Sequence, residues 1–240
     1  MTKWIAILGA GPGLGTALAW KYGREGYAVA LVARRLAPLD QLASELRAGG
    51  IAAESFPADL RRPEEVANVL AEIQSRSGYV DTLYYGPNAP EVFVPAFTLK
   101  VQDVKDKVEL FLYGLVAAVE AVLPQMRERK AGTIFSCLGG SAGIGLPFMS
   151  GPGPALSAAR NYLYSLHGEL AAEGIQVGMM TLSAIIRNSE WEAGIKSGEI
   201  PMTLPPGFQI PDVDPAELAQ SIWDASKPGS APELVYPPRA

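Results

Sequence analysis

The stretch Trp4-Ile5-Ala6-Ile7-Leu8-Gly9-Ala10-Gly11-Pro12-Gly13-Leu14-Gly15 decides the fold. Its first five residues form an apolar run of strand length, and a helical pattern takes over at Leu14. The glycines between them permit a tight turn and a close backbone approach to a ligand. A helix that starts directly after such a turn presents free N–H groups and a partial positive charge, which together favour an anion such as a pyrophosphate. A glycine-rich string alone carries little weight. At the first strand-to-helix turn of a β-α-β unit it carries much.

Outward from this turn, apolar strand candidates Ala28–Ala33, Ala52–Phe56, Thr82–Tyr85, Thr133–Leu138, Gln176–Leu182 and Leu234–Tyr236 follow Trp4–Leu8. Segments of helical period separate them: Leu14–Arg24, Ala37–Ala48, Glu64–Ser75, Val104–Arg129 and Ala155–Ala172, with a short helix at Pro215–Ala225 before the last strand. Strands that are apolar throughout are buried on both faces, which requires helices above and below. The expectation is an α/β fold: a Rossmann-like doubly wound parallel sheet of about seven strands in three αβα layers. Its ligands sit beyond the carboxyl ends of the strands. No repeat or linker divides the chain, so one domain over residues 1–240 is expected. Asn188–Val213 reads as a long irregular insertion carrying Trp191, Ile195, Met202, Leu204, Phe208 and Ile210. Apolar residues on such a loop fit a lid over a pocket, and equally a packing or subunit contact.

Composition excludes several classes. A net charge of −5 argues against a nucleic-acid surface, which needs clustered Lys and Arg. No run of eighteen apolar residues is apparent, so no membrane span is expected. The first residues lack the order of a secretory signal, and a cytoplasmic protein is expected. One cysteine, Cys137, and one histidine, His167, exclude an internal disulfide and a zinc cluster, so no metal site is expected.

The second strand ends Val32-Ala33-Arg34-Arg35. An acidic residue there would accept hydrogen bonds from a ribose 2′-hydroxyl; an arginine suits a 2′-phosphate. This favours NADP(H) over NAD(H), unless Arg34 and Arg35 are solvated residues at a helix entry.

The spacing Gly-x3-Gly-x-Gly at 9, 13 and 15 resembles the short-chain dehydrogenase/reductase superfamily. So do Asp59-Leu60 after the third strand, Asp81-x-Leu83 entering the fourth, Ser165-Leu166-x-x-Glu169-Leu170, and Gly174-Ile175-x-Val177. The resemblance runs from Trp4 to about Val235. It implies a dinucleotide held by Gly9, Gly11, Pro12, Gly13, Leu14, Gly15, Arg34, Arg35, Asp59, Leu60, Gly86 and Ile186. It also implies a homodimer or homotetramer paired through Val104–Arg129 and Ala155–Ala172.

The family's catalytic asparagine, serine, tyrosine and lysine would fall on Phe111, Gly139, Pro152 and Leu156, and lysine is absent between Ala131 and Ile195. Tyr85-Gly86-Pro87-Asn88 replaces the usual asparagine-rich turn after the fourth strand, and Leu182-Ser183 replaces a Pro-Gly. Substitute donors at strand ends are Tyr84, Tyr85, Ser141, Ser150 and Ser183, with Asn88 as a polariser; Tyr85, Asn88 and Ser141 are the catalytic candidates. Arg160 reads as a surface arginine or a substitute cation, and His167 as structural. Three functions stay open. The first is an atypical NADP(H)-dependent oxidoreductase acting on a carbonyl or activated alkene of a small apolar substrate. The second is a non-redox cyclase, dehydratase or isomerase, and the third is an NADP(H)-binding pseudoenzyme. Fold alone does not choose among them.

Overall fold

A computed structural model describes residues 2–88, 93–200 and 209–238 of the chain. Seven strands form one parallel sheet: β1 (Trp4–Leu8), β2 (Ala28–Ala33), β3 (Ala53–Pro57), β4 (Thr82–Tyr85), β5 (Gly132–Gly139), β6 (Ile175–Leu182) and, last in the chain, β9 (Glu233–Tyr236). Their spatial order is β3-β2-β1-β4-β5-β6-β9. The direction of winding therefore reverses between β1 and β4, and their carboxyl ends flank the crevice where such sheets bind ligands.

Strand side chains alternate between faces, and the sheet sorts them into two cores. Ala6, Leu8, Leu83 and Tyr85 point to the face covered by α3 (Pro63–Ser77), α5 (Gly114–Arg129) and α6 (Gly153–Leu170). Ile5, Ile7, Tyr84 and Phe135 point to the opposite face, under α1 (Leu14–Arg24), α2 (Leu36–Ala48) and α8 (Pro215–Ala225). The doubly wound, three-layer α/β expectation holds.

Two segments depart from expectation. Val104–Arg129, read as one helix, begins at Val101. It consists of α4 (Val101–Val108), a widened π-helical stretch at Glu109–Tyr113, and α5. At its end the N–H of Gly114 reaches back five residues to the carbonyl of Glu109. The combined 29 residues include a stretch long and apolar enough to cross a bilayer by length and composition, contrary to the expectation of none. Here Leu115, Ala118, Val119 and Val122 of that segment are buried against the sheet.

The insertion Asn188–Val213 is not irregular throughout. It contains α7 (Glu190–Ser197), capped by Ser189, whose hydroxyl oxygen accepts from the Glu192 N–H at 3.0 Å. It ends in β8 (Asp212–Val213), which pairs in parallel with β7 (Ile185–Ile186). A helix was hidden there because its eight residues show no long apolar period. Met202, Leu204 and Phe208 lie outside the described residues.

Candidate functional site

A pocket of about 280 Å³ opens at the carboxyl ends of β1, β4, β5 and β6. At one end its wall is the first glycine-rich turn, and the shape of that turn follows from its glycines. Gly9 has φ +102°, and a Cβ there would lie 2.4 Å from the carbonyl oxygen of Gly86. The turn after β1 and the turn after β4 therefore touch backbone to backbone. A Cβ on Gly15 would lie 2.8 Å from the Gly9 carbonyl oxygen. Gly11 differs, since a Cβ there would meet nothing within 4 Å. Beyond it, the N–H groups of Gly13, Leu14 and Gly15 have no hydrogen-bond acceptor among the described residues.

Of the residues expected to hold a dinucleotide, Gly9, Gly11, Pro12, Leu14, Gly15, Gly86 and Ile186 line this pocket. Gly13 lies beneath α7, where a Cβ would sit 3.2 Å from that of Ser189 and 3.3 Å from the Ile186 side chain. Arg34, Arg35, Asp59 and Leu60 lie outside the pocket wall. Arg34 is exposed and has no ion-pair partner among the described residues. Arg35, by contrast, pairs with Glu190 at the start of α7. Arg61 folds back onto Asp59, its Nε donating to Oδ1 at 3.0 Å, and this holds the carboxyl below its usual range. Leu60 is buried in the core.

At the other end the walls are apolar: Leu146, Met149 and Leu156, with Phe93 and Trp191 packed edge to face at 6.4 Å between ring centroids. Phe111, Gly139, Pro152 and Leu156, which come from three separate segments, all reach this one pocket. Phe111 arrives on the widened helical stretch, Gly139 ends β5, and Pro152 precedes the first turn of α6. Among the described residues the pocket wall carries no lysine, arginine or histidine, and Glu190 is its one carboxylate.

The candidate donors separate cleanly. Tyr84, Asn88, Ser141 and Ser183 line the pocket. Ser150 does not; its backbone pairs with Val94, donating to the Val94 carbonyl at 2.9 Å. Tyr85, a catalytic candidate by sequence, is corrected by the alternation of β4. Its side chain points to the α5 face, and its hydroxyl donates to the Leu110 carbonyl at 2.5 Å. Burial raises its pKa far above the usual phenol range. That hydroxyl is a structural donor outside the pocket.

The sequence reading missed Cys137. It sits two residues after Phe135 on the face that carries Tyr84, and period-two alternation from Phe135 is the signal that finds it. Tyr84 is buried and Cys137 half-buried, both on the same face of the sheet at the pocket floor. Desolvation raises the tyrosine pKa well above its ordinary value and pushes the thiol up to about 12. Both stay protonated near neutral pH. Arg160, the substitute cation, is committed elsewhere. It forms a two-pronged pair with Glu233 of β9, Nε to Oε1 at 2.8 Å and Nη2 to Oε2 at 2.6 Å. His167 is structural, its Nδ1 lying 2.8 Å from the Val177 carbonyl oxygen.

A doubly wound sheet with a glycine-rich first turn and a pocket at its switch point defines the class of nucleotide-binding α/β proteins. Within that class, residues 3–193 match the short chain dehydrogenase family, so the chain belongs to this family of oxidoreductases. The chain is 29% identical over 230 residues to mouse Dehydrogenase/reductase SDR family member 7B, a match covering 92% of this chain and 69% of that protein. It superimposes on an alcohol dehydrogenase of the archaeon Thermococcus sibiricus complexed with 5-hydroxy-NADP. The TM-score is 0.82 at 21% identity, covering 100% and 99% of the two chains. It also superimposes on a variant of actinorhodin polyketide ketoreductase with NADPH, with a TM-score of 0.83 at 24% identity, covering 98% and 95%.

Proposed function

We propose that this protein is an NADP(H)-dependent oxidoreductase with an atypical centre, acting on a carbonyl or activated alkene of a small apolar substrate. One observation carries the reading: a single pocket joins the glycine-rich turn to an apolar chamber. The turn fits a dinucleotide. Open space at Gly11 and three unengaged N–H groups at the start of α1 suit a pyrophosphate, and unpaired Arg34 suits a 2′-phosphate. The NADP- and NADPH-bound neighbours agree with this assignment. Gly9 to Gly15, Gly86 and Ile186 would line the dinucleotide, with Arg34 outermost. Arg35 and Asp59 would join it only by leaving Glu190 and Arg61.

Bound there, the cofactor supplies hydride; the protein orients the substrate and excludes water. Phe111, Gly139, Pro152 and Leu156 stand where the family keeps its proton-delivery groups, and none of them donates a side-chain proton. A positioned general acid contributes about 10²–10⁴-fold, so turnover here is slow unless another donor serves. Ser141 and Ser183 are the pocket hydroxyls placed to polarise a carbonyl, with Asn88 at the rim. Tyr84 contributes a neutral hydroxyl dipole at the floor. A single domain, a lid formed from 188–213, a homodimer or homotetramer and a cytoplasmic location belong to the same proposal.

The test uses NADPH carrying deuterium at the transferable position and a panel of apolar ketones and enones. Deuterium in the product supports the proposal. Conversion without label assigns a non-redox enzyme, and tight binding with no conversion assigns a pseudoenzyme. Calorimetry with NADPH and NADH tests the cofactor: Arg34→Ala should weaken NADPH by about 10–100-fold, the range for a charge-assisted contact, and leave NADH unchanged.

A further inference from the structure

One ion pair ties the edge of the pocket to the shelf beyond it. Arg35 follows β2 and stands at the start of α2, and its guanidinium pairs with Glu190, the first residue of α7. Glu190 lines the pocket. The residue before it, Ser189, packs on the glycine-rich turn, where a Cβ on Gly13 would lie 3.2 Å from the serine Cβ. That turn is fixed to β2, since the N–H groups of Gly9 and Ala10 donate to the Val32 carbonyl at 2.9 and 3.0 Å. The pair of Arg35 with Glu190 thus closes a ring of contacts that runs from β2 through the turn to α7. The neighbouring arginine leans the other way. The Asp59 carboxyl, beyond β3, is held down first by Arg61 and also by the charge of Arg34. Strand β2 lies between β3 and β1, so its two arginines flank the carboxyl end of the strand. One is engaged by α7, and the other has no ion-pair partner among the described residues.

We infer that Glu190 competes with the 2′-phosphate of NADP(H) for Arg35, so that seating the phosphate releases the amino end of α7, whereas NAD(H) leaves it latched. This names a regulation of the proposed site, and it rests on reading the glycine-rich turn and Arg34 as an NADP(H) seat. While the pair stands, the Glu190 carboxylate offsets the charge of Arg35. A phosphate monoester carries up to two charges and matches the guanidinium fork, so it displaces the carboxylate. The latch is weak: the Arg35 and Glu190 side chains are 67% and 58% exposed, and such pairs shift an equilibrium by about two- to fivefold. It therefore opens on binding and closes again on release. In this way α7, which carries the pocket residues Glu190 and Trp191, answers to a phosphate seated outside the pocket.

The test measures NADPH and NADH binding by calorimetry in wild type, Glu190→Gln, Arg35→Ala and the double variant. Glu190→Gln removes the competing charge and should tighten NADPH by about two- to fivefold while leaving NADH unchanged. In the Arg35→Ala background the same change should do nothing, because the arginine it frees is gone. Release of α7 is read in ¹⁵N spectra through the indole of Trp191, the second residue of that helix. The chain has four tryptophans, and Trp191→Phe identifies this resonance by its loss. 2′,5′-ADP, which carries the 2′-phosphate but no nicotinamide, should move the resonance in wild type and not in Glu190→Gln. 5′-AMP should move it in neither. The inference is overturned if Glu190→Gln binds NADPH as wild type does or more weakly, or if it tightens both cofactors equally. It is overturned too if the gain survives in Arg35→Ala, or if 2′,5′-ADP leaves the Trp191 resonance in place. Wild-type protein that binds neither cofactor would remove the cofactor assignment itself, and the inference with it.

Discussion

The hydroxyl of Tyr85 donates to the carbonyl of Leu110 at 2.5 Å, joining the end of β4 to the widened stretch that carries Phe111 into the pocket. Tyr85 is nearly solvent-free, and Gly114 leaves room for it, since a Cβ on Gly114 would lie 2.2 Å from that hydroxyl. Wide helical turns are often found at functional sites, and here a buried phenol braces one. Tyr85→Phe should therefore cost about 1–2 kcal/mol of stability by leaving the Leu110 carbonyl without this donor. The melting temperature should fall by about 2–6 °C for a chain of this size. Because the hydroxyl lies outside the pocket, NADPH affinity should stay within twofold. A loss of affinity with unchanged stability would return Tyr85 to the site.

Gly9 and Gly11 are two residues apart and should respond in opposite ways to the same methyl group. Gly9→Ala sets a Cβ against the Gly86 backbone at a positive φ, so it should destabilise the fold by more than about 2 kcal/mol. Gly11→Ala meets no protein atom within 4 Å and should keep stability within about 0.5 kcal/mol. If the space at Gly11 is kept for a pyrophosphate, Gly11→Ala should nevertheless weaken NADPH at least about tenfold, or about 1.4 kcal/mol. Urea denaturation and calorimetry on the two variants check both halves. Equal NADPH affinity in wild type and Gly11→Ala would remove the cradle assignment.

The fold was legible because its signals are local and repeated. The apolar runs of β1, β2 and β4 and the helical period of Leu14–Arg24 coincide with the observed elements. The site was legible only where the chain itself forms it, at Gly9–Gly15. Elsewhere it depends on which face a side chain takes. Tyr84 and Tyr85 are adjacent and chemically alike, yet one faces the pocket and the other the α5 core, and only strand phase distinguishes them. The ion pairs of Arg35 with Glu190 and Arg160 with Glu233 join residues 155 and 73 positions apart. No spacing rule reaches that far. The widened stretch at Glu109–Tyr113 is likewise hidden, since apolar period continues through it.

Cys137 offers a chemical reading of burial at the pocket floor. An ordinary thiol near pKa 9 is partly thiolate at pH 8, whereas a thiol pushed up to about 12 is thiolate in only about one molecule in 10⁴. Alkylation by iodoacetamide at pH 8 should therefore be about 10³-fold slower in the native protein than in urea. The chain has one cysteine, so mass spectrometry reads the reaction without ambiguity. Apolar ligands that fill the pocket should slow native alkylation further by covering the thiol. Rapid native alkylation would show that the floor is wet and that Tyr84 is not held against it.

Glu233 ties the last strand to the sheet and sets an acid limit on stability. Its carboxylate accepts from Arg160, from Tyr164 at 2.6 Å and from Thr181 at 2.5 Å, with the glutamate side chain only 9% exposed. The Arg160 guanidinium, aided by the Thr181 and Tyr164 hydroxyls, lowers the Glu233 pKa from 4.5 to about 2. A carboxyl whose folded pKa lies below its unfolded value stabilises the fold fully above the unfolded value, here about pH 4.5. That stability is lost as pH falls towards 2. Arg160 is 28% exposed, so solvent screens the pair, and the contribution is about 1–2 kcal/mol rather than the full shift. Glu233→Gln keeps the shape and an acceptor oxygen but cannot titrate. Its urea midpoint should be lower than wild type at pH 7, and the gap should narrow steadily from pH 4.5 to pH 2.5 as the carboxyl of the unfolded wild-type chain takes up its proton. A gap that persists unchanged at pH 2.5 would mean that geometry, not charge, is what Glu233 contributes to holding β9.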